Sequence, residues 1–377
     1  MSPVAASTDR NHGLDALRGV SILLVVLHHL ALRIRLRDTA LGDLLPRRLL
    51  DGLGFNGYEA VFVFFVISGY LITIYSLRRW GSLPAIDLRG FYVRRIARIV
   101  PLLLLLLAVL STMHLAGVPR YVINGPGQSL GGALLSSLGL TLNWYEGHTT
   151  WLPGNWDVLW SLSIEEAFYL AFPLLCLLLR GRSLFVLSLA VLALSLPFTR
   201  AALEGNEIWQ EKAYLPGMSA IATGVLVAMA LFRWSLPAST ARMLRLAGAL
   251  GLLAGVFCGR ELWTSLGNGS MMALTGSAAM LVAGLHAQAG QAQRKASPIT
   301  AWLRSWGRLS YEIYLTHMFV VFGLVAVYES HGSRVHDGAW WYVPLLLFCW
   351  LLGLAVARLW SEPCDRALRR RLLPKPT

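Results

Sequence analysis

Gly13-Leu-Asp-Ala-Leu-Arg-Gly-Val-Ser-Ile-Leu-Leu-Val-Val-Leu-His-His-Leu30 decides the fold class of this chain. At about 1.5 Å of rise per residue, an apolar run of this length crosses most of a ~30 Å hydrocarbon core. Yet it carries Arg18 and His29, eleven residues apart. That spacing is almost three turns of about 3.6 residues, so the two side chains share one stripe, roughly 16 Å apart. With the arginine at one edge of the core, His29 lies near the midplane, where ionisable groups are costly and usually functional. Asp15, at i−3 from Arg18, has the spacing to orient and partly neutralise the guanidinium. His28 points about 100° away and reads as a polar group satisfied by a neighbouring helix.

Composition carries this reading to the whole chain. Soluble domains are about a quarter charged, whereas these 377 residues are 14% charged and 56% hydrophobic, with a mean hydropathy of +0.57. Apolar runs recur from Val20 to Ala357 with no polar stretch long enough for a separate soluble domain, so a single all-α membrane domain is expected over 1–377. Met1 to Asn11 is short and polar, with no small-residue cleavage site within reach, so the first helix is expected to be retained. Cys176, Cys258, Cys349 and Cys364 are widely spaced, which argues for packing roles and against disulfides or a metal site. The net charge of +13 comes from basic residues flanking apolar runs, which suits anionic headgroups of a lipid bilayer and not nucleic acid.

Length and flanking charge mark about ten spans, at 14–32, 58–77, 99–117, 158–179, 183–198, 215–232, 244–259, 270–288, 310–328 and 341–358. An even number puts both termini on one side. Most basic residues, including Arg10, Arg180, Arg294 and the tail from Arg358, then fall on the side of the termini, which predicts cytosolic termini in the inner membrane. Arg33, Arg35, Arg37, Arg47 and Arg48 fall on the other side; either that segment lies along the interface, offset by Asp38, Asp43 and Asp51, or the orientation is reversed. Residues 118–157 form the longest external connection, within which Leu130 to Leu142 has the character of a re-entrant or interfacial helix.

Four further stretches can carry chemistry. Tyr58 to Ile72 is aromatic-rich and interrupted by Ser68 and Gly69, a pattern that favours close helix packing. Arg95 and Arg98 stand at i,i+3 before the third span; the pair anchors a helix at the cytosolic edge or clamps a phosphate. The fourth span opens with Trp160, with Ser161 and Glu165 at i,i+4, and with Glu166 on another face; two acids there are hard to explain by packing. Near the end Tyr314 and His317 stand at i,i+3, suited equally to interhelical hydrogen bonding and to catalysis, and Ser361 to Arg366 reads as a helix stop before a basic tail.

Together these stretches resemble the acyltransferase-3 family of multi-pass membrane acyltransferases. The resemblance rests on Leu14-Asp-Ala-Leu-Arg-Gly with His29, on Phe64-Phe-Val-Ile-Ser-Gly-Tyr-Leu71, on Arg95-x-x-Arg98, on Trp160-Ser-Leu-x-x-Glu165 with Phe168-Tyr169, and on Ser310-Tyr-x-x-Tyr-Leu-x-His317. It implies transfer of an acyl group, most often acetyl, from cytosolic acyl-CoA to a hydroxyl of an extracytoplasmic glycan, glycolipid or related small molecule. It also implies functional roles for Arg18, His29, Arg95, Arg98 and Glu165. The chain departs from the family pattern in having Met318-Phe319 where a nearby proline is common, and it carries no appended hydrolase-like domain, so it is expected to act alone or with a separate extracytoplasmic partner.

Physical reasoning leads to similar expectations. Polyanionic acyl-CoA belongs at the cytosolic mouth against Arg95, Arg98 and Arg18, with its pantetheine arm entering the bundle. His29 is placed to act as general base, Glu165 to orient the acceptor or stabilise the imidazolium and Asp15 to orient Arg18, and Trp160, Ser161, Tyr314 and His317 are candidate acceptor contacts. The competing class is a glycan or lipid transporter in which Arg18, His29 and Glu165 form a polar path.

Overall fold

Residues 11–179, 182–289, 300–332 and 334–373 are described by a computed structural model, and every regular element among them is helical. Asn11 starts the first helix by accepting the Gly13 and Leu14 backbone N–H groups, with Asp15 in the first turn where the helix dipole favours an acid. The principal helices are α1 (His12–Ala31), α2 (Arg47–Gly54), α3 (Gly57–Trp80), α4 (Leu88–Leu115), α5 (Leu130–Leu138), α6 (Leu142–His148), α7 (Leu159–Leu178), α8 (Arg182–Leu194), α9 (Tyr214–Arg233), α10 (Ala238–Phe257), α11 (Gly269–Ala289), α12 (Ala301–Arg308), α13 (Ser310–Ser330), α14 (Tyr342–Val356) and α15 (Glu362–Leu372).

Among the described residues nine helical segments are long and apolar enough to cross a membrane. The span expected at 183–198 is α8, which at 13 residues reaches only ~20 Å before a separate short helix, Leu196–Ala201, takes over. The expected helix stop at Ser361 is incorrect. The chain passes from α14 through a π-helical turn at 357–361 directly into α15. Pro363 is the second residue of α15, and the π-helical turn just before it accommodates the missing backbone N–H. Likewise Arg95 and Arg98 do not precede the third span but lie within it, because α4 starts at Leu88 and continues through Pro101. Arg10, Arg180 and Arg294, which enter the charge argument, lie outside the described residues.

α1 runs through the middle of the bundle, against α3, α12 and α13, while α3 lies along α9. That second crossing depends on small residues, since a Cβ added at Gly69 would collide with the Ile221 carbonyl and one at Gly224 with that of Val66. Gly69→Leu is expected to lower stability by about 1–3 kcal/mol or more through overpacking, read as a fall in thermal unfolding temperature in detergent.

The arginine-rich segment after α1 is partly paired with acids. Arg37 and Arg47 pair with Asp51 at 3.5 and 3.4 Å, and Arg48 pairs with Glu261 at 2.6 Å. Ala40 N–H donates to His336 O at 2.8 Å, so this segment lies beside the loops that follow α10 and α13. At the opposite face Arg89 donates to Leu372 O at 3.3 Å, and the Trp360 indole donates to Pro101 O at 2.9 Å, which ties α4 to the C-terminal helix.

Candidate active site

The predicted stripe of α1 meets a polar stripe on α13. Arg18 Nη2 donates to Ser310 Oγ at 2.8 Å, and the His29 ring lies 4.9 Å from that of His317, tilted by 45°. Ser310, Tyr314 and His317 recur at i, i+4 and i+7, so one face of α13 presents all three. Asp15 is buried one turn before Arg18 on α1. His28 turns away to lie against Gly57 and Phe55, the direction its position predicts.

His317 has a definite tautomer. Its Nδ1 faces the carbonyls of Tyr314 at 2.7 Å and Ile313 at 3.2 Å, and only an N–H can satisfy a carbonyl. In the neutral ring Nε2 therefore carries the lone pair, and it is buried with no hydrogen-bond partner among the described residues. The ring that carries this lone pair lies beside that of His29. Arg33 flanks the pair, donating to His29 O at 2.7 Å while its guanidinium lies 4.9 Å over Phe322. Burial lowers the Arg33 pKa, with the Arg120 guanidinium adding to that and Asp157 opposing it.

On α7 the carboxylate and hydroxyl that share a face serve different partners. Glu165 accepts from Ser68 on α3 and from Tyr169 one turn on. Ser161 donates to Tyr314 Oη at 2.6 Å, and Tyr314 in turn donates to Val158 O at 3.0 Å. Trp160 stacks on Tyr58 with 6.1 Å between ring centroids, forming an aromatic wall. The two α4 arginines separate likewise. Arg95 lies 3.9 Å over the Tyr169 ring, while Arg98 holds Glu312 of α13 through Nη1 at 2.9 Å and Nη2 at 3.2 Å. Glu312 is 1% exposed, so this pair fixes α4 against α13 beneath the histidines.

A second charged cluster lies near the opposite end, where α6, the start of α7 and the segment before α9 meet. Lys212 is 2% exposed; it pairs with Glu146 at 2.8 Å and with Asp157, and its ammonium lies 3.9 Å over the Trp151 ring. Burial, and then the Asp157 carboxylate, push the Glu146 pKa well above the usual range, with Lys212 opposing. Asn143 closes the cluster by donating to Trp160 O and Lys212 O at 3.0 and 2.6 Å.

Ser68, Tyr169, Glu312, Lys212, Glu146 and Asp157 belong to these networks, yet none has a site role in the sequence reading. Glu312, an acid inside an apolar run, carried a usable signal. The Lys212 cluster did not, since its members are spread along the chain and only folding unites them. Among the described residues no group of three or more His, Cys, Asp or Glu is placed to hold a metal ion.

A row of paired cations, two adjacent histidines and a hydroxyl-bonded carboxylate inside one helical bundle fits the motif order read from the sequence. The family model described as "Acyltransferase domain" (Acyl_transf_3) matches residues 11–359. The chain belongs to this acyltransferase family. Its relatives include O-acetyltransferase OatA of Staphylococcus aureus strains NCTC 8325 / PS 47 and COL, each 31% identical over 195 residues, covering 48% of this chain and 28% of the relative. The aligned part of the chain therefore spans well under half of those relatives' length. No solved structure matches the chain. The family match takes in α1, α3, α4, α7 and α13, so all the site residues described above fall inside the acyltransferase domain.

Proposed function

We propose that this multi-pass membrane protein is an O-acyltransferase that moves an acyl group, acetyl in the first instance, from acyl-CoA to a hydroxyl of an extracytoplasmic glycan, glycolipid or related small molecule. The observation that carries the reading is the His29–His317 pair, placed between the Arg18 and Arg98 side of the bundle and the Lys212 cluster. The relatives' O-acetyltransferase name supports acetyl as the group transferred.

In this reading His29 takes the proton of the acceptor hydroxyl as its oxygen attacks the thioester carbonyl. The C–O bond forms, the C–S bond breaks, and the proton passes to the departing thiolate. His317, whose ring lies against that of His29, flanks the base. Arg18, Arg95 and Arg98 line the donor's path, supported by Ser310, Tyr169 and Glu312, while Asp15 and Glu165 hold the cationic and hydroxyl groups around it. Trp160, Ser161 and Tyr314 face the acceptor. The protein works in the cytoplasmic membrane with both termini cytosolic, alone or with a separate extracytoplasmic partner.

Purified protein given labelled acetyl-CoA and a mixture of hydroxyl-bearing oligosaccharides is expected to release CoA and yield an alkali-labile acetyl ester on carbohydrate, detected by mass spectrometry. Movement of a glycan or lipid across a vesicle with no consumption of acyl-CoA would instead favour the transporter.

A further inference from the structure

We infer that Arg79, Arg94 and Arg369 form a binding site for the terminal phosphomonoester of the acyl-CoA donor; this rests on the donor reading above. Arg95 and Arg98, the pair whose spacing suggested a phosphate clamp, are committed within the bundle to Tyr169 and Glu312. Arg94, beside them in sequence, lies where α15 packs on α4, one turn from Phe91, whose ring meets that of Trp80 at the end of α3 with 6.4 Å between centroids. Arg79 precedes Trp80 in the last turn of α3, and Arg369 lies on α15 between Trp360 and Leu372, which bond to Pro101 and Arg89 of α4, so it falls near the level of Arg94.

Three guanidiniums from three helices repel one another unless something anionic lies between them. The two carboxylates facing Arg94 are already engaged. Asp365 pairs with Arg369 at 2.7 Å, and Asp87 caps α4 by accepting the Arg89 and Gly90 backbone N–H groups. Arg94 Nε is buried and has no hydrogen-bond partner among the described residues. A planar donor edge without an acceptor, backed by two more guanidiniums, matches the oxygens of a phosphate. A phosphomonoester carries nearly two negative charges near neutral pH, more than either carboxylate supplies. Phosphate chemistry is shared by anionic lipid headgroups, which basic residues at a membrane edge commonly meet. The convergence of Arg94 with α15, a helix tied to α4 by the Arg89–Leu372 and Trp360–Pro101 hydrogen bonds, favours one fixed ligand over a diffuse headgroup layer.

The test compares CoA with dephospho-CoA, which lacks only the terminal phosphate, by calorimetry on the full chain in an uncharged detergent. Wild type is expected to bind CoA at least about tenfold more tightly. Arg369→Ala, Arg94→Ala and the charge-retaining Arg94→Lys are expected to erase most of that preference while leaving dephospho-CoA binding unchanged, with thermal unfolding confirming that each variant folds. Equal affinities in wild type would overturn the phosphate site and leave the donor reading standing. Binding of neither nucleotide would overturn both. Loss of association with phosphatidylglycerol vesicles in Arg94→Ala and Arg369→Ala, with the CoA preference intact, would assign the cluster to lipid and overturn the inference.

Discussion

His29→Ala is expected to reduce acyl transfer from labelled acetyl-CoA by about 10²–10⁴-fold while leaving a folded, membrane-inserted protein, because the loss is that of a positioned general base. The imidazole it removes packs against His317 and makes no salt bridge among the described residues, so truncation leaves no buried charge unpaired. His28→Ala is the internal control. It changes a neighbouring imidazole that faces Gly57 and Phe55, so turnover is expected to stay near wild type. Steady-state turnover in detergent, with size-exclusion profiles for each variant, checks both results. Near-normal turnover in His29→Ala would remove the base from His29. An acyl-histidine relay differs from direct transfer in one observable way: label would remain on the protein when acceptor is withheld.

Lys212→Ala is expected to cost about 3–5 kcal/mol of stability, the range for breaking a buried ion pair by removing one partner. The variant strands Glu146, which is 0% exposed, beside Asp157, which is 17% exposed, with no ammonium between them. The cost is expected as a large fall in unfolding temperature, and it should shrink when Glu146→Gln and Asp157→Asn are added, because neutral amides no longer demand a counter-charge. The same cluster joins α6 to the start of α7 and to the segment leading into α9, so the single variant is also expected to loosen the connection over 118–157. Protease sensitivity of that connection would rise in Lys212→Ala and return toward wild type in the triple variant.

How far the sequence revealed this arrangement follows from the distance over which each signal acts. Arg18 and His29 lie on one helix, and a period of about 3.6 residues was enough to place them on one face. Ser310, Tyr314 and His317 obeyed the same rule on α13. What faced each stripe was not legible, since that depends on which helices pack together. Ser68 looked like a packing residue beside Gly69, and Gly69 is one, but the serine is the partner of Glu165 across α3 and α7. Arg95 and Arg98 share a helix face, yet Tyr169 and Glu312 draw them to two different neighbours. The helix boundary misread at Ser361 has a local cause: a proline can begin a helical turn as readily as end one, and here a π-helical turn carries the chain through to α15.

In the proposed reaction the bundle joins a donor on one face to an acceptor on the other through the His29 layer. The most direct measurement uses proteoliposomes with one protein orientation, labelled acetyl-CoA supplied only on the face that carries α15, and an impermeant oligosaccharide acceptor only on the opposite face. Labelled ester is expected on the acceptor, dependent on His29, with CoA released on the donor side. Ester formed only when donor and acceptor share one compartment, or acceptor transported without ester, would contradict it.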